Sequence, residues 1–385
     1  MVRRSGFGVR GRILGRVGIL AASVLVGAAC GAPVADDVLS ARATTGGATA
    51  FGRLVDVGHG RTMYLECQGS GSPTVVLVPG LVAAADTWSY VTGAAGKRKP
   101  SSSAVYPGVG KFTRVCSYDR PGTARENGEF TTSSTVVQPT TPRGDAADLH
   151  ALLEAAKVPG PYVLAGWSAG GPIARIYAGK YPYDVAGLVL VDAESEFLQS
   201  RLTPGQFAIF LATIRNDDKK RMAQWKDVER QDPATVFEQV RAAPPVPRIP
   251  VVVLSGDEFD ADAFRARLPA HAPEDFPQVF WRAQRGSQQD LAAQFPGAQH
   301  ITKTRSDHNI HNNRPQMVID AVRGVVEEDR RGVGGPSAAS APASASASAS
   351  ASASASAHSP SPSASPSSAS PSSPSPSSSP SRSRS

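Results

Sequence analysis

The feature that most constrains the fold is a repeated alternation of short β-branched runs with stretches of helical pattern between residues 51 and 328. Two candidate strands, at 51–57 and 62–67, open this region. Six further runs follow in chain order: TVVLVPG, RVCSYDRPG, YVLAGWS, GLVLVDA, VVVLSGDE and HITKTRS. The later runs are continuously apolar, as strands buried on both faces are. The pattern predicts an α/β fold, with a mostly parallel eight-stranded sheet and helices on both of its faces.

Helical patterns occupy several of the gaps between these runs. They cover residues 144–156, 171–180 and 315–328. Two other gaps are longer than a simple crossover connection. Residues 194–247 are charged, helix-rich and dotted with aromatic residues, which predicts a small helical lid over the sheet. The interval 81–113 contains GKRKPSSSAVYPG, a segment typical of a solvated loop.

The N-terminal segment has the pattern of an export signal. Five arginines precede the apolar run GILAASVLVGAA, which ends directly before Cys30. This run is much shorter than the roughly 20 apolar residues of a transmembrane helix. Small residues before Cys30 resemble a bacterial lipobox, so we expect residues 1–29 to be removed and Cys30 to be acylated, with ordinary signal cleavage as the alternative. The protein is therefore expected at the outer face of the bacterial cell membrane or, without the lipid, secreted.

Composition separates two further segments from the folded region. Residues 30–50 form a predicted linker, and from residue 333 to 385 the chain is almost wholly Ala, Ser, Pro and Gly, which predicts a disordered tail. The net charge of +7 equals the five arginines of the signal segment together with Arg382 and Arg384, so the intervening chain is neutral. A folded basic surface for nucleic acid is therefore not expected.

Two cysteines, Cys67 and Cys116, remain once Cys30 is assigned to processing. Disulfides form readily in exported proteins, so these two cysteines can pair, and a pair of free buried thiols is the alternative. Two cysteines without neighbouring ligands do not make a metal site, and none is predicted.

Ser168 is the candidate nucleophile. It lies in Gly166-Trp167-Ser168-Ala169-Gly170, between a predicted buried strand and a predicted helix. In this context the G-x-S-x-G pattern predicts a nucleophile elbow, a strained turn that exposes the serine hydroxyl. Glycine on both sides leaves room for the turn, because a side chain there would collide with the neighbouring strand or helix.

A serine hydroxyl is a weak nucleophile, so it needs a base, a carboxylate that orients the base, and donors for the oxyanion. The base is expected on the loop after the last strand, where His308 is closer to the strand end than the alternative, His311. For the oxyanion, the Ala169 N–H follows the nucleophile directly. The turn after the first buried strand offers the Leu81 N–H as the second donor.

Five segments together resemble the α/β-hydrolase superfamily, in its branch of exported esterases, lipase-like enzymes and proline-iminopeptidase-like proteins. They are SPTVVLVPG, CSYDRPG, PYVLAGWSAGGPIARIYAGKYP, VAGLVLVDAE and SDHNIHNNRPQMVIDAV. The resemblance extends from about residue 60 to 328. Family members often have a histidine where this chain has Pro79, and a G-x-G-x-S run where it has residues 122–126. The first departure leaves the backbone donor in place, and the second changes a loop near the predicted site.

The resemblance also implies a triad acid. Most members carry it after the seventh strand as Gly-x-x-Asp, but here Phe259 occupies that position, with Asp257 two residues earlier and Asp260 one later. Some members, such as certain haloalkane dehalogenases, carry the acid at the end of the sixth strand, where this chain has Asp192. Both strand ends open on the same rim of the sheet. We expect Asp192 to be the acid, with Asp260 and then Asp257 as alternatives.

The implied activity is that of a serine hydrolase, which cleaves a small-molecule carboxylic ester through an acyl-enzyme on Ser168 without a cofactor. Other activities on the same fold are amide or N-terminal proline hydrolysis and cofactor-free haloperoxidase-like chemistry. A surface binding module without activity is the alternative of a different class, because a fold does not guarantee a function. The sequence predicts neither the substrate nor the oligomeric state.

Overall fold

The computed structural model of the chain describes residues 50–332. The predicted signal segment 1–29, the lipidation site Cys30, all but the last residue of the linker and the tail 333–385 lie outside the described residues. Within the described range, no helix is both long enough and apolar enough to cross a membrane.

The strands of the described residues form two sheets. In chain order they are β1 (Phe51–Gly58), β2 (Arg61–Gln68), β3 (Thr74–Val78), β4 (Tyr90–Thr92), β5 (Arg98–Pro100), β6 (Val115–Tyr118), β7 (Tyr162–Trp167), β8 (Val185–Val191), β9 (Val251–Leu254) and β10 (Gln299–Ile301). The main sheet has eight strands in the order β1-β2-β6-β3-β7-β8-β9-β10. Strand β2 pairs antiparallel with β1 and β6, and all other pairs in this sheet are parallel. The predicted α/β architecture is confirmed.

Helices follow most of the parallel strands. In chain order they are α1 (Val105–Val109), α2 (Pro142–Ala155), α3 (Gly170–Lys180), α4 (Phe197–Ser200), α5 (Pro204–Gln224), α6 (Pro233–Arg241), α7 (Ala261–Arg265), α8 (Phe276–Ala293), α9 (Ile310–Asn313) and α10 (Pro315–Arg330). Five of them begin with proline in the first turn, where the missing N–H has no partner to lose.

Two apolar clusters cover the two faces of the main sheet. Leu149 of α2 and Ile173 of α3 pack on one face, and Val105 of α1 and Val322 of α10 pack on the other. Strands β3, β7 and β8 are buried along their whole length between these layers, which explains their continuously apolar sequences.

The segment 81–113 differs from the predicted solvated loop. Its β4 and β5 form an antiparallel hairpin, and α1 places Val105 and Val109 in the core. The Gly108 backbone lies so close to Ile319 of α10 that a Cβ would collide with that side chain. The proline, glycine and serine residues of this segment are not typical of a helix, and packing of α1 against α10 and its other neighbours in the core supports it.

A third apolar cluster joins helices α4 to α8, which we call the cap. Phe207, Phe210 and Phe237 come from the predicted lid segment 194–247. Phe264 and Phe276 come from α7 and α8, which lie after β9 and were not predicted as helices. The cap therefore consists of two chain segments that close one aromatic core.

Cys67 on β2 and Cys116 on β6 are register partners in adjacent antiparallel strands and are joined by a disulfide. The bond links strands whose sequence separation is 49 residues. It ties the first hairpin to the parallel part of the sheet.

Candidate active site

Ser168 occupies the turn between β7 and α3 and has a backbone φ of +55°. A serine rarely adopts this left-handed conformation, so the surrounding contacts must hold it there. Its N–H donates to the Val191 carbonyl, at 3.2 Å, and its carbonyl accepts from the Glu194 N–H, at 2.9 Å. The side chain is half-buried at the carboxyl end of the sheet.

The glycines on either side permit this turn. A Cβ on Gly166 would lie 2.5 Å from the Gly170 carbonyl oxygen. A Cβ on Gly170 would collide with the Val78 carbonyl oxygen of the neighbouring strand. The pattern G-x-S-x-G is thus a steric requirement of the close approach of α3 to β3 and β7.

His308 lies on the loop after β10, and its ring contacts Asp192. The His308 Nδ1 is 2.6 Å from Asp192 Oδ2. The carboxylate can only accept, so Nδ1 carries the proton and Nε2 keeps a free lone pair. The Asp192 side chain is 8% exposed, whereas the His308 side chain is 47% exposed. A buried carboxylate therefore fixes the orientation of an accessible imidazole.

The backbone around Asp192 holds its carboxylate in place. The residue directly follows β8 with φ of +39°, and its own N–H donates to the Leu254 carbonyl, at 2.7 Å. The Gly256 N–H donates to Oδ1, at 3.0 Å, which leaves Oδ2 for His308. Both contacts come from the end of β9, so two adjacent strands position this one side chain.

The alternative acids are engaged elsewhere. Asp257 Oδ1 accepts from the Thr304 hydroxyl, at 3.0 Å, and from the Ser306 N–H, at 3.1 Å. Asp260 caps α7 by accepting from the Ala263 N–H, at 2.8 Å. Neither carboxylate is hydrogen-bonded to His308 within residues 50–332. In this structure the carboxylate that contacts His308 is that of Asp192.

His311, the alternative base, is fully buried. Its ring packs against Trp88 and Trp167, with centroid distances of 4.8 and 4.2 Å, and its Nε2 lies 3.3 Å from the Thr87 hydroxyl. Burial lowers the pKa of His311 well below its ordinary value. These contacts support a packing role beneath the site.

Leu81 and Ala169 carry the two backbone N–H groups that are predicted to bind the oxyanion, and both residues lie close to Ser168. A Cβ on Gly80 would lie 3.1 Å from the Ser168 Cβ, so the turn that carries Leu81 runs directly beside the serine. Among the hydrogen bonds of the described chain, neither the Leu81 N–H nor the Ala169 N–H has an acceptor. Two free donors beside one hydroxyl are what an oxyanion requires.

The Ser168 hydroxyl and the His308 ring are not joined by a hydrogen bond in the described part of the chain. Hydrogen bonds between a catalytic nucleophile and its base are often long without substrate and tighten when it binds. The described residues also contain no group of three or more His, Cys, Asp or Glu side chains placed to hold a metal ion.

Comparison with known protein families identifies the family to which this chain belongs. A family model described as the alpha/beta hydrolase family matches residues 75–362 of the 385-residue chain. The chain belongs to the alpha/beta hydrolase family.

Among curated proteins, this chain matches an uncharacterised protein of Schizosaccharomyces pombe. The two are 31% identical over 191 residues, which are 45% of this chain and 34% of the yeast protein. The chain thus spans about a third of the length of the curated relative it matches.

Solved structures similar to this chain include a thermophilic esterase from Thermogutta terrifontis, at 22% identity, with 74% of this chain and 100% of that chain covered and a TM-score of 0.42. Another is a bromoperoxidase from Bacillus anthracis, at 16% identity, with 72% and 100% covered and a TM-score of 0.43. Similarity at these identities and TM-scores carries no information on activity.

Two residues of the candidate site were missed by reasoning from the sequence. The Trp167 indole N–H donates to the His308 carbonyl, at 2.9 Å, so the residue before the nucleophile also anchors the histidine loop. Glu194 lies two residues after Asp192, and burial raises the pKa of its carboxyl to about 7, although His308 lowers it. For Trp167, the only signal in the sequence was its variable position in G-x-S-x-G. Glu194 belongs to no motif.

Proposed function

We propose that the protein is a serine hydrolase that cleaves a small-molecule carboxylic ester through an acyl-enzyme on Ser168. One observation carries the proposal: a buried carboxylate orients an accessible imidazole, 2.6 Å away, on the rim where a serine is held in a left-handed turn. Strained backbone and a preoriented base are costly to maintain without a chemical use.

In the proposed mechanism, the His308 Nε2 takes the proton of the Ser168 hydroxyl, and the oxygen attacks the ester carbonyl carbon. Asp192 stabilises the imidazolium that forms. The Leu81 and Ala169 N–H groups bind the oxyanion of the tetrahedral intermediate. His308 then donates its proton to the departing alcohol, and water, deprotonated by the same ring, releases the acid and restores the serine.

The test is serine-specific labelling together with turnover. A fluorophosphonate probe should label the wild-type protein, and p-nitrophenyl esters of short acids should be hydrolysed. Ser168→Ala should abolish labelling and lower kcat by about 10⁴-fold or more. Ser200→Ala is the matched control, because Ser200 is exposed and its hydroxyl donates only to the Phe197 carbonyl among the described contacts.

Two results would overturn the proposal. One is a folded wild-type protein that the probe does not label, which would favour a binding module without activity. The other is undiminished ester hydrolysis by Ser168→Ala. If Ser168 is labelled and required for turnover, a panel of acyl-chain lengths would define the substrate class. Matched amide and N-terminal prolyl substrates would test for a peptidase.

We further propose that the enzyme is exported and anchored by an acylated Cys30. The support is the arginine-rich start, the short apolar run and the small residues that precede this cysteine. The mass of the mature N-terminal peptide tests it. An unmodified Cys30, or cleavage at another bond, would rule out the lipid anchor.

A further inference from the structure

Arg120 and Glu229 form a buried ion pair beside residues 79–82, the turn that carries Leu81, which we call the oxyanion turn. Arg120 follows β6, whereas Glu229 belongs to the cap, between α5 and α6. Their side chains are 1% and 0% exposed, and the Arg120 Nε lies 2.6 Å from Glu229 Oε1. Burial opposes the charge of Arg120, but the attraction of Glu229 outweighs it and raises the pKa of the guanidinium.

The remaining polar atoms of this pair all contact residues 79–82. The Arg120 Nη1 donates to the Pro79 carbonyl, at 2.8 Å, and Nη2 donates to the Gly80 carbonyl, at 2.7 Å. Glu229 Oε2 accepts from the Val82 N–H, at 2.6 Å. The cation holds the carbonyls of the turn, and the anion holds its amide.

These contacts fix the two peptide groups on either side of Leu81. A peptide group is planar and trans, so its C=O and N–H point in opposite directions. Holding the Gly80 carbonyl therefore also sets the direction of the Leu81 N–H. Holding the Val82 N–H sets the next peptide plane, where Val82 has a φ of +67° that valine rarely adopts.

We propose that Arg120 and Glu229 are positioning residues that orient the Leu81 N–H toward the oxyanion. Glu229, a residue of the cap, would thus help to hold the oxyanion turn in its binding geometry. The inference rests on the proposed function of Ser168. A charge-assisted hydrogen bond to the Gly80 carbonyl also polarises the peptide group, which makes the Leu81 N–H a stronger donor. Glu229 touches the turn and not the substrate, so its effect is through Leu81.

Gly122 permits the cap to approach this closely. It has φ of +85°, and a Cβ there would lie 2.5 Å from the Glu229 nitrogen and 2.7 Å from the Asp227 carbonyl oxygen. The Glu229 N–H donates to the Gly122 carbonyl, at 2.8 Å. The loop that departs from the family pattern is therefore the loop on which Glu229 rests.

The chain contains a matched control pair, Arg175 and Glu196. These side chains are 4% and 5% exposed and form two hydrogen bonds, at 2.6 and 2.8 Å. The pair lines a cavity of about 790 Å³ whose described lining includes neither Ser168 nor His308. It reproduces the burial and charge of the first pair without a contact to the oxyanion turn.

The test compares Glu229→Gln with Glu196→Gln. Each leaves a buried arginine without its anion, so both should lower the melting temperature. Only Glu229→Gln should lower kcat, by roughly 10- to 100-fold, because loss of a whole oxyanion donor costs roughly 10²- to 10³-fold. KM should change by less than about 3-fold, since the contact matters in the transition state. Glu196→Gln should keep kcat within about 2-fold of wild type.

A double variant guards against misfolding of the single ones. Arg120→Met with Glu229→Leu removes both charges together, a change that buried pairs often tolerate. It should fold and show the same loss of kcat. Wild-type kcat in the folded double variant, or equal losses of kcat in Glu229→Gln and Glu196→Gln, would overturn the inference.

A second measurement separates this inference from the proposed function. In ¹⁵N-labelled protein, the Leu81 amide resonance should move in Glu229→Gln and stay in place in Glu196→Gln. An unmoved resonance in Glu229→Gln would overturn the positioning role even if Ser168 proves catalytic. If the resonance moves but no Ser168-dependent turnover exists, the proposed function fails while the orientation of the turn by Glu229 stands.

Discussion

Strands β8 and β9 end side by side on the same rim, and each is followed by an aspartate, yet only one carboxylate reaches the histidine. Asp192 comes directly after β8 and contacts the ring itself. Asp257 comes three residues after β9 and contacts Thr304 and Ser306, on the loop that carries His308. One strand end orients the ring, and the other supports the backbone beneath it.

The difference lies in the backbone and not in the residue type. Asp192 turns at once into a left-handed conformation, φ of +39°, so its side chain faces along the rim. At the β9 end, the Asp257 and Glu258 N–H groups both donate to the Ser306 carbonyl, at 2.9 and 3.0 Å. The backbone at the end of β9 is therefore hydrogen-bonded to the loop that carries His308. A carboxylate at a strand end is thus insufficient evidence for a triad acid.

Among the carboxylates at the two strand ends, the largest expected effect comes from Asp192→Asn. An asparagine amide can donate to His308 Nδ1, which favours the tautomer that carries its proton on Nε2 and cannot act as a base. We expect kcat to fall by roughly 10³- to 10⁴-fold. Ester turnover with a parallel melting curve measures it. Near-normal turnover in folded Asp192→Asn would erase the distinction between the two strand ends.

Asp257→Ala should have a smaller and mixed effect. It leaves the buried Ser306 N–H without its acceptor, which costs about 1–3 kcal/mol of unfolding free energy. The loosened loop should lower kcat by roughly 10-fold through displacement of His308. Denaturant unfolding and ester kinetics measure the two parts. A loss of kcat as large as that of Asp192→Asn would show that the two strand ends have similar roles.

The sequence predicts what is local and misses what depends on the direction of a backbone or on distant contacts. The sheet follows from the apolar runs, and the turn that carries Ser168 follows from two glycines four residues apart. Asp192 and Asp257 could not be distinguished, because a positive φ at an aspartate has no signature in the residue itself. Glu229 reaches residues 79–82 from the cap, about 150 positions away in the chain, and no periodicity announces such a contact. The catalytic roles of Ser168, His308 and Asp192 remain predictions for the experiments above.

Glu194 is a second carboxylate that follows β8, and its ionisation can be measured through the pH dependence of stability. Burial raises its pKa from 4.5 to about 7, so the folded state favours the neutral form. The contribution of Glu194 to stability should therefore be most favourable below pH 4.5 and fall as the pH rises to about 7, where the folded-state carboxyl ionises.

Glu194→Gln removes that titration. Its unfolding free energy should lack this fall, and the difference from wild type should grow by about 3 kcal/mol between pH 4.5 and 7.5. Urea unfolding at several pH values measures it. Parallel stability curves for the two proteins would mean that folding does not raise the pKa of Glu194, so that its carboxylate is charged at neutral pH, as the proposed mechanism requires of Asp192.

Asp260→Ala should have the smallest effect. The carboxylate accepts from the Ala263 N–H at the start of α7 and is exposed, so its loss removes a helix cap and nothing at the rim. We expect about 1 kcal/mol lower unfolding free energy and unchanged kcat and KM. Because Asp260 is closest to the family position of the acid, this variant is the sharpest contrast with Asp192→Asn. A large loss of turnover here, with the melting temperature preserved, would mean that His308 turns to the β9 end when substrate binds.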